Sequence, residues 1–289
     1  MGLEDLRLNS TGDRLARDEL VAMLKDQTVA IVGTDTVDDN LLAQCPSLEM
    51  ISKFGVGIDN IDQEACTRRG IAIRWTPGTN SRSVAEQTLG FMIFLFRNLH
   101  RTSRALRSGY WNKSGGTQLS GKTIGIIGVG NVGRDLVRLL QPFACRIIAN
   151  DLIDQPDFFA KMHIESMTKS QVYREADAVT LHLPLDDSTR GLVARDTFET
   201  MKSTAFFINT ARGGIVVQDD LKWALRSQAI AGAAIDVYES EPPADLELLE
   251  QENLICTPHV GGNAREAVFN MGNAAIGHVL DFLDRNGVR

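Results

Sequence analysis

The chain has 289 residues, 43% of them hydrophobic and 23% charged, and a net charge of −7. That length admits two domains with real cores. The acidic balance excludes nucleic acid as the main partner, because binding phosphate backbones needs a concentrated basic surface.

In chain order, a small α/β pattern comes first. LRLN, TVAIVG, EMISKF and IAIRW read as strands, and RDELVAMLK, NLLAQC and QEACTRRG read as helices. A hinge is expected at Thr76-Pro77-Gly78. The next segment, residues 83–106, is apolar around almost its whole circumference through Leu99. A helix of that kind must be buried, either in the core or against a second subunit. Its most apolar run, LGFMIFLF, is too short and too soon followed by charge to span a bilayer, so no membrane partner is expected. From residue 122 short apolar strands alternate with amphipathic helices: KTIGIIG, then a strand ending at Asp151, then DAVTLHLP, TAFFINTA, IAGAAIDVY and LICTPH. Such runs suit parallel strands covered on both faces, hence a doubly wound parallel sheet. A last helix, AREAVFNMGNAAIGHVLDFL, follows Gly261-Gly262 and is expected to return to the small domain, leaving a cleft between the two. The expected division is 1–75 with 263–289 as a discontinuous substrate domain, and 76–262 as a dinucleotide-binding domain. Cys45, Cys66, Cys145 and Cys256 are far apart, without C-x-x-C spacing, and read as reduced thiols of a cytoplasmic protein. No metal site is expected.

The most informative stretch is KTIGIIGVGNVGRDLVRLLQPFACRIIAND, residues 122–151. Gly128, Gly130 and Gly133 stand in the spacing G-x-G-x-x-G between a strand and an amphipathic helix. Gly128 permits the tight turn, Gly130 lets backbone approach a pyrophosphate, and Gly133 lets helix lie close to strand. The unpaired N–H groups at the helix start favour the phosphates. Asp151 ends the second strand, where its carboxylate can accept from a ribose diol and would repel a 2′-phosphate. No Arg or Lys follows it closely, so NAD(H) is favoured over NADP(H).

Ligands of open parallel sheets bind beyond the carboxyl ends of the strands. Arg212, Glu241 and His259 all fall on that edge. A guanidinium can hold a carboxylate by two parallel hydrogen bonds. A histidine titrates near neutrality and can move a proton at a hydroxyl-bearing carbon, while a carboxylate beside it fixes the ring. Together they suit hydride transfer between nicotinamide and a 2-hydroxy or 2-oxo acid. His182 ends a strand near the cofactor and is expected to line its site.

The segments KFGVGIDNID, TPGTNSRSVAEQT, LSGKTIGIIGVGNVG, HLPLDDSTRGL, INTARGGIVV, GAAIDVYESEPP and TPHVGG carry a resemblance over nearly all the chain. The sequence resembles the D-isomer-specific 2-hydroxyacid dehydrogenases, most of all their D-3-phosphoglycerate dehydrogenase branch. The resemblance implies an α/β protein: a doubly wound NAD-binding domain plus a smaller, flavodoxin-like α/β substrate domain. It implies Arg212 as the substrate-binding arginine, Glu241 as the acid partner and His259 as the catalytic acid/base. It implies substrate contacts at Lys53, Val56, Gly57 and Asn80, the backbone of Val56 and Gly57 taking the carboxylate. Cofactor contacts are implied at Asn131, Val132, Asp151, Thr210, Ala211, Arg212, Asp236, His259, Gly261 and Gly262. It also implies a homodimer built around the apolar helix 83–106. A rival reading is an NADH-binding, corepressor-like regulator without significant turnover.

Three departures from the family pattern stand out. Family chains normally begin with a strand and helix of roughly 20–30 residues ahead of the segment matching LRLNSTGDRLARDEL. A small domain lacking that first strand and helix is therefore expected. Trp75 stands where Asn is common and is expected to pack at the hinge. The basic lining for a phosphorylated substrate is sparse, with Lys53 where arginine is frequent and Lys113 in a shortened loop.

Overall fold

The computed structural model describes residues 6–11 and 15–285. Packing divides the chain into two units, residues 1–80 with 265–289 and residues 81–264.

In the smaller unit, α1 (Arg17–Leu24), β1 (Val29–Val32), α2 (Asp39–Ala43), β2 (Met50–Lys53), α3 (Gln63–Arg68) and β3 (Ala72–Arg74) follow in order. The strands form a parallel sheet in the order β1-β2-β3, with Val29 opposite Met50 and Met50 opposite Ala72. Asp38 and Asp62 set the starts of α2 and α3, each accepting from an N–H three residues on, Leu41 at 2.9 Å and Ala65 at 2.8 Å. Leu41, Leu42, Ile51, Ala65 and Cys66 make the core. A long helix, Arg265–Arg285, belongs to this unit and packs on β2. There Ser52 Oγ donates to the Ala275 carbonyl at 2.9 Å, and His278 lies between Ser52 and Thr76. The strand expected at LRLN is absent. Leu6 and Leu8 are 63% and 72% exposed, and Arg7 instead donates to the Ala22 and Met23 carbonyls near the end of α1. Alternation alone makes no strand where no neighbour offers a ladder.

The larger unit opens with α4 (Ser81–Phe96) and α5 (Leu99–Arg107), where one helix over 83–106 was expected. Asn98 breaks it by entering the left-handed region at φ 55°, and its side chain donates to the Ser114 carbonyl at 3.0 Å. Asn tolerates that conformation better than most residues, and apolar periodicity cannot reveal it. There follow β4 (Thr123–Ile127), α6 (Asn131–Leu140), β5 (Arg146–Asn150), α7 (Pro156–Met162), β6 (Ile164–Ser166) and α8 (Lys169–Glu175). Next come β7 (Ala178–Leu181), α9 (Arg195–Thr200), β8 (Phe206–Asn209), α10 (Gln218–Arg226), β9 (Gly232–Ile235), α11 (Leu246–Leu249) and β10 (Leu254–Cys256). The long helix of the smaller unit is α12. All seven strands run parallel in the order β10-β9-β8-β7-β4-β5-β6. The order reverses between β4 and β7, which places the ligand crevice at their carboxyl ends.

Alternate residues of β4 serve opposite faces. Ile124 and Ile126 join Phe91, Met92, Leu136 and Leu140 on one, while Ile127 joins Val179, Phe198 and Phe207 on the other. Gly125 between them lets α8 approach, since a Cβ there would lie 2.6 Å from Val172 Cγ1 and 2.9 Å from Ala176 Cβ. Among the described residues no helix is long and apolar enough to cross a membrane.

Candidate active site

The glycine turn lies between β4 and α6. Gly128 has φ 94°, and a Cβ on it would fall 2.4 Å from the His182 carbonyl oxygen. A Cβ on Gly133 would fall 2.3 Å from the Gly128 carbonyl oxygen. Gly130 differs, for a Cβ there would meet nothing within 4 Å. It is also the N-cap of α6 and offers no side-chain cap, so the N–H groups of Asn131, Val132 and Gly133 have no side-chain acceptor. Asp151 accepts from the Val129 N–H at 2.5 Å and the Ile153 N–H at 2.8 Å, tying the second strand's end to the turn. His182 follows β7 and donates its backbone N–H to Ile127 O at 2.8 Å. Its Nε2 pairs with Thr180 Oγ1 at 3.1 Å, while its Nδ1 is sealed from solvent and has no hydrogen-bond partner among the described residues. Burial pushes the imidazole down to about 3, so it is neutral at working pH.

Arg212, Glu241 and His259 follow β8, β9 and β10 on the same sheet edge. Glu241 Oε2 and His259 Nδ1 lie 2.7 Å apart. The other carboxylate oxygen accepts from the Tyr238 N–H at 3.1 Å. Partial burial raises the Glu241 carboxyl, but the His259 hydrogen bond and charge, the Tyr238 N–H and the Arg212 guanidinium outweigh it. The net result holds the group below the usual carboxylate range. With Nδ1 turned to Glu241, Nε2 is the atom of His259 left to exchange a proton. Arg212 donates to the Ala211 carbonyl at 2.8 Å, and its own carbonyl accepts from Asn209 Nδ2 at 2.9 Å. Gly213 beside it has no room for a Cβ, which would lie 1.9 Å from the Tyr238 carbonyl carbon. That contact brings the Arg212 turn against the segment leading to Glu241.

The turn that carries His259 is itself held from below. Asp236, 1% exposed, accepts from the N–H groups of Val260 at 2.9 Å and Gly261 at 2.7 Å, and from Thr257 Oγ1 at 2.5 Å. Gln87 Nε2 donates to Thr257 Oγ1 at 2.9 Å, Ser83 Oγ to the Gly261 carbonyl at 2.5 Å, and Tyr238 OH to the Thr257 carbonyl at 2.9 Å. His259 sits at φ 53°, a left-handed conformation this network maintains. Asp236 is expected at the cofactor, and its carboxylate is hydrogen-bonded to the turn that carries His259. Ser83, Gln87, Tyr238 and Thr257 were not singled out from sequence, because hydroxyls and amides in a helix or loop carry no spacing signal. Thr210 is buried, with its hydroxyl 2.9 Å from that of Thr88.

The expected substrate residues Lys53, Val56, Gly57 and Asn80 lie in the smaller unit. The N–H groups of Gly55, Val56 and Gly57 donate to no group among the described residues. Lys53 is buried and hydrogen-bonded inside its unit. Asn80 is half-buried, and Trp75 is 39% exposed, so it is packed only in part.

Residues 89–261 match the sequence profile of the D-isomer specific 2-hydroxyacid dehydrogenase, NAD binding domain. The chain belongs to the D-isomer-specific 2-hydroxyacid dehydrogenases. Among the relatives of this dehydrogenase, D-3-phosphoglycerate dehydrogenase of Homo sapiens is 36% identical over 93% of this chain and 51% of its own length. Hydroxypyruvate reductase of Thermotoga maritima is 34% identical over 94% of this chain and 89% of its own. The chain thus spans about half the length of the phosphoglycerate dehydrogenases it matches and most of the reductase. Among solved structures, the TT0316 protein of Thermus thermophilus superposes with a TM-score of 0.88 at 29% identity, covering 94% of this chain and 88% of that one.

The cofactor of this dehydrogenase domain is NAD. Its residues fit the group. The space above Gly130 and the uncapped start of α6 can take a pyrophosphate, and Asp151 stands where a ribose diol would be bonded.

The buried His182 yields a pH prediction. Unfolded, it takes up a proton below about pH 6.5, whereas the folded ring resists protonation down to about 3. Its contribution to stability is therefore complete above pH 6.5 and falls as pH drops towards 3, by at most about 1.4 kcal/mol per pH unit. His182→Asn should flatten the decline of the urea midpoint between pH 7 and 5. Equal slopes in both proteins would contradict this.

Proposed function

We propose that this dehydrogenase is an NAD-dependent oxidoreductase interconverting a D-2-hydroxy acid and its 2-oxo acid. The substrate class is 3-phosphoglycerate or a glycerate/hydroxypyruvate-like acid, and the compartment cytoplasmic. The observation that carries the reading is the 2.7 Å contact between Glu241 and His259 Nδ1, on the sheet edge that holds the cofactor turn and Arg212. Arg212 binds the substrate carboxylate as a guanidinium fork, and the N–H groups of Val56 and Gly57 bind carboxylate oxygen in the smaller unit. When bound, NADH supplies the hydride. His259 gives its Nε2 proton to the carbonyl oxygen, and Glu241 stabilises the imidazolium before and the ring orientation after transfer. In the oxidising direction neutral Nε2 takes the hydroxyl proton.

The free 2-hydroxy acid and 2-oxo acid are the small-molecule partners, and a second copy of the chain is the protein partner. Phe94, Leu99, Leu106, Tyr110 and Trp111 are 48%, 37%, 56%, 67% and 74% exposed, an apolar stretch that supports a homodimer through α4, α5 and the segment after them. Sedimentation velocity should then show a two-chain species, and a monomer at micromolar concentration would contradict the assignment.

The test of the reaction is NADH oxidation against 3-phosphohydroxypyruvate, hydroxypyruvate, glyoxylate and pyruvate. His259→Gln should lower turnover about 10²- to 10⁴-fold while leaving NADH binding intact. Unchanged turnover would refute the role of His259. NADH binding without turnover of any acid would favour the corepressor-like alternative.

A further inference from the structure

Lys53 ends β2 and is 6% exposed, unusual for a lysine. Its stem passes beneath the turn that follows. Gly55 has φ 131°, and a Cβ built on it would lie 3.3 Å from Lys53 Cε. The ammonium donates to the Gly33 carbonyl beyond β1 and to Asn60 Oδ1, the latter at 2.6 Å. Asn60 Nδ2 donates in turn to the carbonyls of Asp35 at 2.6 Å and Gly33 at 3.2 Å. One ammonium therefore joins the ends of β1 and β2 to the loop around Asn60, with Phe54–Gly57 laid across it. Above it, the N–H groups of Gly55, Val56 and Gly57 have no acceptor among the described residues.

An ammonium has three donors and no directional fork. The Lys53 ammonium is engaged inside the unit, and withdrawing it towards a phosphate would strand Asn60 Oδ1 and leave the Gly33 carbonyl only its longer bond from Asn60 Nδ2. We propose that Lys53 is a positioning residue that fixes the Val56–Gly57 turn from beneath and does not bind a substrate phosphate, so that the substrate is a short, unphosphorylated 2-oxo acid. The inference rests on the carboxylate-binding role proposed above for that turn. Arg74, exposed at the end of β3, is a further basic side chain at the strand ends of the small sheet and is therefore included in the test.

The experiment compares hydroxypyruvate with 3-phosphohydroxypyruvate in steady-state NADH oxidation by the full chain and by Lys53→Met, Asn60→Ala and Arg74→Gln. The full chain should prefer hydroxypyruvate at least tenfold in kcat/KM. Lys53→Met and Asn60→Ala should each raise KM for hydroxypyruvate at least tenfold and change kcat less than threefold. NADH affinity serves as the control for folding of the larger unit, and circular dichroism for the whole chain. Arg74→Gln should leave the ratio of the two acids unchanged. A loss confined to the phosphorylated acid in Lys53→Met would overturn the positioning role. Preference for that acid, abolished by Arg74→Gln, would overturn the substrate class. If the full chain oxidises NADH with neither of these acids nor with glyoxylate or pyruvate, the enzymatic reading fails. Lys53 is then read from oxamate titrated into the NADH-loaded chain. Oxamate should bind more tightly than phosphoglycolate and lose at least tenfold in Lys53→Met. No oxamate binding, or binding unaffected by Lys53→Met, would overturn the inference on its own account.

Discussion

The turn that carries His259 depends on one buried carboxylate. Asp236 closes β9 and accepts three hydrogen bonds from the stretch Thr257–Gly261, which bends back over it. A carboxylate is the side chain suited to this task, being acceptor-only and able to take several donors at once. Two backbone N–H groups and a hydroxyl converge there, and an amide would turn donors towards them. Gly261 must be small for the same reason, since a Cβ on it would lie 2.9 Å from Asp236 Oδ2. With the turn fixed at both ends of this contact, His259 is held at a positive φ and faces Glu241. Ser83 and Gln87, from the first two turns of α4, complete the support. The entry helix of the larger unit thus anchors the His259 loop that follows its last strand.

The glycines divide by what surrounds them. Gly128, Gly133 and Gly213 are places where backbone meets backbone, and a Cβ would collide with a carbonyl within 2.4 Å. Gly130 faces open space, so no packing contact accounts for its smallness. The same contrast separates the lysines and carboxylates. Asp151 secures the glycine turn from the end of its strand, whereas Asp236 and Lys53 face inward and hold loops. Charged groups buried in this way are costly unless hydrogen-bonded, and both Asp236 and Lys53 are.

Much of this was legible in the sequence because parallel strands buried on both faces read as apolar runs, and their carboxyl ends are where functional residues collect. The places of Arg212, Glu241 and His259 after three neighbouring strands follow from those runs, and the turn at Gly128–Gly133 from its spacing. What sequence could not show was direction. Asp236 sits at a strand end like the others, yet its carboxylate points under the loop. Lys53 likewise occupies an edge position and turns inward. The break at Asn98 was hidden because a left-handed residue leaves the flanking apolar pattern intact. β6 was missed because Ile-Glu-Ser is only three residues long, with one buried side chain. LRLN was over-read because alternation says nothing about whether a neighbouring strand is there.

The most direct test of this account is the kinetic effect of Asp236→Asn, measured alongside NADH affinity by fluorescence titration. If Asp236 holds the catalytic turn, kcat should fall at least 100-fold while NADH affinity changes less than threefold. An NADH affinity that collapses while kcat at saturating cofactor survives would contradict the account and return Asp236 to the cofactor.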